Sequence, residues 1–340
     1  DLKKTYKAVV IGAGNMGALW EGDALRPKPA THAGVYAGLE NTGLVTLVAL
    51  VDTKPENLEQ AHKLFPNAKT YADAKECLEN EKPDIVSIAT PAGSHESILE
   101  ICAEAGIKTI ICEKPLSDDL KSAERMSVLA NTNGMTVIVN HQRRFFELFN
   151  EVRDKIASGE FGKIQQASAY YSNGLVNNGP HSIDALQYIL SDDIVGVTGF
   201  LNEHNKTHGQ YDSNIDGMLF FKKGPVATIQ SLDNAKFGIH DFVLFAEKAM
   251  IKISDYGYRL EITPALPSKN FAQISQLDIE KAHVRHTRSS MVSGAIHHAL
   301  ACLSGAEQPK GTIADALITM KVIDALKSSA DEKGKFTKVI

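Results

Sequence analysis

The sequence predicts an α/β domain with a parallel sheet, followed by an α+β domain with a mostly antiparallel sheet. Over residues 1–140, short β-branched apolar runs alternate with segments of helical spacing, and each run ends at Gly, Pro, Asp or Asn. Over residues 141–340, most runs alternate apolar and polar residues between turn residues, which is typical of antiparallel strands. A chain of 340 residues is long enough for both domains.

The same patterns locate the individual elements. In the first domain they predict strands at 8–11, 45–51, 84–89, 109–112 and 136–139 and helices at 58–65, 95–105 and 120–131. In the second domain they predict helices at 145–158, 180–190, 291–303 and 313–328 and strands at 164–171, 195–202, 217–221, 227–232, 241–245, 250–254 and 259–262.

Composition excludes several classes of partner. Lysine and arginine total 36 and aspartate and glutamate 41, so the formal net charge is −5 and no like-charge block favours nucleic acid. Four cysteines without a C-x-x-C pair argue against disulfides and a zinc site, and His204 and His208 lack a third ligand, so no metal is expected. The apolar runs are shorter than the roughly 20 residues of a membrane helix. With no signal-peptide pattern at the start, we expect a cytoplasmic protein.

A glycine-rich turn directly follows the first predicted strand. Gly12, Gly14 and Gly17, with Asn15 and Met16 between them, match G-x-G-x-x-G at a strand-to-helix junction. The first glycine allows the tight turn, the second lets a pyrophosphate approach the backbone, and the third allows close helix packing. The motif predicts a dinucleotide site on a doubly wound sheet.

An acidic residue follows the second strand. Asp52 comes directly after the run 45–51. A carboxylate there accepts hydrogen bonds from the adenosine ribose and repels a 2′-phosphate, so the expected cofactor is NAD rather than NADP.

The spacing between these two features is unusually long. Gly17 and Asp52 are 35 residues apart, whereas the plain unit has about 20. The excess lies at 21–31, where two prolines should break the first helix and push out a loop at its N-terminal end. Arg26 and Lys28 in this loop either meet an anionic group or belong to a solvated surface.

A charged pair ends another predicted strand. Glu113 and Lys114 follow the run 109–112, at the sheet edge where open α/β folds bind ligands. Lys114 is either a general acid/base beside the nicotinamide, with a pKa lowered by burial and by the cationic ring, or half of a surface ion pair.

With these features in place, the chain resembles the Gfo/Idh/MocA family of NAD(P)-dependent oxidoreductases. The resemblance covers nearly the whole chain and rests on six motifs in order: Gly12-x-Gly14-x-x-Gly17, Thr90-Pro91-x-x-x-His95, Glu113-Lys114-Pro115, Arg143-Arg144-Phe145, Gly179-x-His181-x-x-Asp184 and Leu303-x-Gly305-x-x-x-Pro309.

The resemblance implies a Rossmann domain followed by an open-faced sheet that lines the substrate cleft and mediates homodimers or homotetramers. It implies that Thr90, Pro91 and His95 pass beneath the nicotinamide half of NAD and that Glu113 reaches its ribose. His95 is alternatively a helix residue without a ligand. Family members mostly act on a secondary alcohol of a sugar, inositol or nucleotide sugar, with Lys114 and a histidine at the reaction centre.

That histidine is His181, near the start of a predicted helix. The positive helix end disfavours imidazolium, so a neutral ring would accept or relay the substrate proton. Asp184 would orient the ring or contact substrate. Many family members have aspartate where this chain has Asn177. An amide cannot ionise, so the proton falls to Lys114 or His181, while Asn177 and Arg143 hold substrate.

The sequence therefore predicts an NAD-dependent dehydrogenase of a sugar, nucleotide sugar or cyclic polyol. Two alternatives remain open. One is a glycosidase that retains NAD and works by transient oxidation and elimination, and the other is a non-catalytic nucleotide-binding member.

Overall fold

The computed structural model describes residues 4–205 and 212–340. The chain forms two compact units, Asp1–Phe145 with Ser289–Leu317, and Phe146–Arg288 with Ile318–Ile340. The first unit contains the predicted α/β domain. Its elements are β1 (Tyr6–Ile11), α1 (His32–Leu39), β2 (Val45–Val51), α2 (Pro55–Leu64), β3 (Lys69–Tyr71), α3 (Ala74–Glu81), β4 (Ile85–Ile88), α4 (His95–Glu104), β5 (Thr109–Cys112), α5 (Leu120–Thr132) and β6 (Thr136–Val139).

The first sheet is parallel throughout, in the order β3-β2-β1-β4-β5-β6. This is the strand order of the dinucleotide-binding Rossmann fold, so the predicted fold is confirmed. Every residue of β4 and β5 is buried, which explains their unbroken apolar runs. Because the strands are parallel, the residues that follow them, Gly12, Asp52, Ala89, Glu113 and Asn140, come to the same edge of the sheet.

The predicted insertion interrupts the first crossover. The N–H of His32 donates to the carbonyl of Met16 at 3.1 Å, and that of Ala33 donates to the carbonyl of Gly17 at 2.9 Å. Helix α1 therefore continues the hydrogen-bond pattern of the turn that follows β1, with residues 18–31 spliced between the two. The structure thus places a loop where the two prolines predict one.

The second unit is the α+β domain. Its elements are α6 (Glu147–Ala157), β7 (Ile164–Ser172), α7 (Gly179–Leu190), β8 (Ile194–Leu201), β9 (Ile215–Phe221), β10 (Val226–Leu232), β11 (His240–Ala246), β12 (Ala249–Ser254), β13 (Arg259–Pro267), β14 (Ser275–Leu277) and β15 (His283–His286). After α8 (Ser293–Leu303), the chain ends with α9 (Ile313–Asp331) and β16 (Thr337–Lys338).

The second sheet has the order β14-β13-β12-β11-β7-β10-β9-β8-β16, with β15 beside β13. All of its pairs are antiparallel except β7 with β10. Phe242 and Leu244 of β11 are fully buried, whereas Phe245 on the opposite face is 44 % exposed. Helix α7 packs on β7 and β11, and the mostly antiparallel, open-faced sheet that the sequence predicts is confirmed.

The units differ from the predicted division at residue 140. Helix α8 belongs to the first unit because Ala295, Ile296, Ala299 and Leu300 join the apolar core around the parallel sheet. The sequence pattern predicts this segment as part of the second domain, since helical spacing alone does not show which sheet a helix covers. In the ranges 4–205 and 212–340, none of the helices combines the length and apolarity that a bilayer span requires.

Candidate active site

A cleft of about 820 Å³ lies in the first unit. Seven of the residues predicted to bind cofactor line it together: Gly12, Gly14, Asn15, Met16, Asp52, Thr90 and Pro91. The lining also includes residues that the sequence analysis missed, among them Asn57 of α2, Ser94, and Ile98 and Ile101 of α4. The sequence gives little indication that Ile98 and Ile101 line a cleft, because apolar residues on a helix usually indicate core. The volume is within the usual range of small-molecule and cofactor sites.

The three glycines have different local geometry. Gly12 has φ +98°, and a Cβ there would lie 2.7 Å from the Ala89 carbonyl. A Cβ on Gly17 would lie 1.7 Å from the carbonyl oxygen of Gly12, so this position excludes any side chain. A Cβ on Gly14 would meet only the Asn57 amide, at 3.9 Å. Gly14 therefore leaves open space in the cleft, which fits the close approach of a pyrophosphate.

Asp52 is held in place at the same cleft. Its carboxylate accepts hydrogen bonds from the Lys54 N–H at 2.9 Å and from the Asn57 side chain at 3.1 Å. A carboxylate has about four acceptor positions, so capacity remains for ribose hydroxyls. The arrangement fits an adenosine ribose without a 2′-phosphate.

We expect Asp52→Asn to reduce the preference for NADH over NADPH by about tenfold or more, because the charge that repels a 2′-phosphate is removed. Fluorescence titrations with the two reduced cofactors measure this ratio. Asp73→Asn is the matched control: Asp73 also lines the cleft, and asparagine replaces it well as the N-cap of α3. An unchanged ratio in Asp52→Asn would remove this residue from cofactor discrimination.

His95 is 0 % exposed at the start of α4. Its Nε2 lies 2.8 Å from the Thr90 carbonyl oxygen and its Nδ1 3.1 Å from that of Leu116. The Cys112 thiol lies 3.4 Å from Nδ1. Of the two sequence interpretations, the structure therefore favours the helix residue without a ligand, which fixes the loop that carries Thr90.

The Glu113 side chain also turns inward, contrary to the expected contact with the ribose. Its Oε1 lies 2.8 Å from Nε2 of His32 and accepts from the Asn140 side chain at 2.7 Å. Its Oε2 accepts the Lys114 N–H at 3.2 Å. Burial alone would raise the pKa of Glu113, but the hydrogen bonds from His32 and Asn140 and the charge of Lys114 outweigh it and hold the pKa below its usual range.

Lys114 follows Glu113 and is half-buried. The predicted substrate residue Arg143 is buried, with 4 % exposure.

His32 is not among the residues that the sequence predicts for the site. It is the first residue of α1 after the insertion, and no sequence motif connects it with Glu113, 81 residues away.

In the second unit, Asn177 lies in the loop that leads into α7, and His181 lies within that helix. The Asn177 side chain is exposed, and Asp212 holds this loop through the N–H groups of Val176 at 3.0 Å and Asn177 at 2.8 Å. His181 lies in the first turn of α7, as predicted, and its ring meets the ring of His240 edge-on, with centroids 5.3 Å apart. His240 was not among the predicted residues.

Asp184 is 1 % exposed, and the Thr319 hydroxyl lies 3.4 Å from its Oδ1. The prediction of a substrate contact is corrected, because the carboxylate is enclosed among packed residues of the second unit.

Side chains within the insertion 18–31 bind the loop itself. The Lys28 ammonium donates to the carbonyls of Glu21 and Asp23, each at 2.6 Å, and to that of Trp20 at 3.2 Å. The Arg26 guanidinium lies 3.6 Å from the centre of the Trp20 ring and 3.2 Å from the Asp23 carboxylate. Of the two interpretations of Arg26 and Lys28, the structure favours the surface loop over a contact with an anionic ligand, because both side chains bind groups of the loop itself.

The described part of the chain contains no group of three His, Cys, Asp or Glu side chains arranged to hold a metal ion. His208 lies outside the described residues.

Comparison with protein families agrees with this geometry. Residues 6–141 match the GFO_IDH_MocA model, described as an oxidoreductase family with an NAD-binding Rossmann fold. Residues 149–252 match the GFO/IDH/MocA C-terminal domain. The chain belongs to the GFO/IDH/MocA oxidoreductase family.

Its relatives are named dehydrogenases. Inositol 2-dehydrogenase of Arthrobacter sp. (strain FB24) is 29 % identical over 251 residues, which cover 70 % of each chain. The 1-carboxy-3-chloro-3,4-dihydroxycyclo hexa-1,5-diene dehydrogenase of Comamonas testosteroni is 26 % identical over 207 residues, 54 % of this chain and about half, 51 %, of that relative. The predicted class, an NAD-binding dehydrogenase, is confirmed.

The structure is also similar to that of an inositol dehydrogenase homolog from Azotobacter vinelandii, solved in complex with NADH and myo-inositol. The TM-score is 0.75 with 17 % identity, over 98 % of both chains. At this identity the likeness shows the shared fold.

Proposed function

We propose that this protein oxidises a secondary alcohol of a cyclic polyol or sugar and transfers the hydride to NAD. The observation that carries the proposal is the cleft in which Gly14, Asp52 and Thr90 converge, in the same unit as the Glu113-Lys114 pair. The inositol and cyclic-diol substrates in the names of its relatives support a cyclic polyol over an open-chain alcohol.

The side chains have distinct assigned roles. Oxidation removes a hydride from the carbinol carbon and a proton from its hydroxyl, and NAD, when bound, accepts the hydride. We assign Nζ of Lys114 as the group that accepts the proton of the substrate hydroxyl. The Asn177 amide binds a substrate hydroxyl, and Asp212 fixes the backbone of its loop. We assign to His181, in the first turn of α7, the relay of a substrate proton or the orientation of the substrate hydroxyl.

We also infer that the open face of the second sheet pairs with a second copy of the chain. Met218 and Phe245 on this face are 42 % and 44 % exposed, and they are interleaved with small polar residues such as Ser168 and Thr228. Exposed apolar side chains on a sheet face are typical of subunit interfaces.

The test is a screen for NADH formation, followed at 340 nm, with inositols, hexoses, hexose phosphates and UDP-sugars. We expect NADH with at least one cyclic polyol or sugar. Release of sugar from a glycoside without net NADH would instead identify an NAD-retaining glycosidase. Binding of NAD without turnover on any compound would contradict the proposed activity.

A further inference from the structure

A line of buried polar side chains ends at the Glu113 carboxylate. The Tyr36 hydroxyl lies 2.9 Å from the Ser87 hydroxyl, which lies 3.0 Å from Nδ1 of His32. Nε2 of His32 lies 2.8 Å from Glu113. Tyr36, Ser87 and His32 are each 0 % exposed. They come from α1 and β4, and Glu113 directly follows β5, so three parts of the first unit meet at this point.

With a neutral imidazole these hydrogen bonds have one consistent direction. An ionised Glu113 can only accept hydrogen bonds, so Nε2 of His32 donates to it. The other ring nitrogen, Nδ1, then accepts a hydrogen bond from the Ser87 hydroxyl. Ser87 then accepts from Tyr36, whose pKa is raised by burial so that it keeps its proton. Every donor in the line points toward the carboxylate, and aligned hydrogen bonds strengthen one another.

We propose that His32, supported by Ser87 and Tyr36, is a positioning residue that holds Glu113 as a buried anion beside Lys114 and thereby sets the proton affinity of the Lys114 amine. The inference rests on the proposed role of Lys114 as the proton acceptor. In this proposal Glu113 has an electrostatic role toward Lys114 and does not contact the cofactor.

The charge coupling is reciprocal. The Lys114 ammonium is one of the influences that lower the pKa of Glu113, so the Glu113 anion stabilises that ammonium equally. In the described chain, the titratable groups that influence Glu113 are His32 from α1 and Lys114 in the same loop, and the Glu113 charge in turn adds to the burial that raises the pKa of the Cys112 thiol. Without the His32 donor, burial favours protonated Glu113, and the ammonium loses its neighbouring charge.

The experiment measures Lys114 directly, without substrate or NAD. The full chain is labelled with acetic anhydride across a pH series, and mass spectrometry of the Lys114 peptide gives the apparent pKa. In His32→Leu this pKa should fall by about one unit or more. His32→Gln restores an N–H donor and should stay near the parent value. Ser87→Ala, a milder change, should shift the pKa in the same direction if His32→Leu does not fold.

The control is His298→Leu, which removes another buried histidine of the first unit, bonded to Glu307. It should lower stability without moving the Lys114 profile. An unchanged profile in folded His32→Leu or Ser87→Ala, or an equal shift in His298→Leu, would overturn the inference. Because labelling needs no turnover, a shifted profile supports the inference even if Lys114→Met proves fully active and the proposed function fails.

Discussion

Replacement of Lys114 by methionine is expected to lower kcat for NADH formation by roughly 10²–10⁴-fold, the usual contribution of a general acid or base. Methionine keeps an unbranched side chain of similar size but has no group that takes a proton. The Kd for NADH should stay near the parent value, because the glycine turn, Asp52 and Thr90 line the cleft from other loops. Absorbance at 340 nm with an active substrate and a fluorescence titration with NADH measure the two quantities.

Lys121→Met provides the matched control, since Lys121 is exposed on α5 in the same unit. It should retain parent activity. Full activity in Lys114→Met would show that the substrate proton leaves by another group and would remove the central assignment of the proposed mechanism.

The sequence predicts the cofactor side of this protein well for a physical reason. Parallel strands place the residues that follow them at one edge of the sheet. The positions of the strand ends are therefore enough to predict that Gly12, Asp52 and Thr90 lie close together. Gly12 and Gly17 are predictable for a similar reason, because the close approach of neighbouring backbone leaves no room for a side chain at either position.

Side-chain direction is what the sequence does not determine. Glu113 and His95 lie at the expected positions, yet both side chains turn into the interior. Glu113 bonds to His32, 81 residues away, and His95 bonds to the carbonyls of Thr90 and Leu116. The partner of Glu113 is His32, which the insertion separates from the glycine turn, so neither spacing nor periodicity connects the two. Contacts of this kind depend on how the crossover helix packs on the sheet.

Strand β3 and helix α3 are not predicted from the sequence, because their patterns are weak. Strand β3 has three half-buried or exposed residues, and α3 carries four charged residues among eight, so neither shows a strong apolar pattern. Helix α8 has the opposite property: its apolar face is clear, but periodicity does not specify the sheet that it covers.

The glycine turn allows cofactor contact to be separated from folding. Gly17→Ala is expected to lower the free energy of unfolding by about 1–3 kcal/mol, the usual cost of overpacking. Its Cβ would lie 1.7 Å from the Gly12 carbonyl oxygen, so the backbone of the turn must move. That movement displaces turn residues that line the cleft, such as Gly12 and Gly14, and NADH affinity should fall as well.

Gly14→Ala should behave differently. Its Cβ has only the Asn57 amide nearby, at 3.9 Å, so urea unfolding should match the parent protein. The added methyl group projects into the cleft, and NADH binding should weaken by about 10–100-fold, equivalent to about 1.4–2.8 kcal/mol. Gly38→Ala in α1, whose Cβ would meet nothing within 4 Å, is the control and should gain up to about 1 kcal/mol of stability without a change in NADH binding.

Urea denaturation followed by circular dichroism and NADH fluorescence titration distinguish these cases. If Gly14→Ala unfolds as early as Gly17→Ala, the second glycine serves folding rather than the pyrophosphate. If it binds NADH as tightly as the parent, the cofactor phosphates lie elsewhere. Loss of NADH binding with unchanged stability is the combination that places the pyrophosphate against Gly14, since among the three glycines of the turn only Gly14 leaves space that the protein itself does not fill.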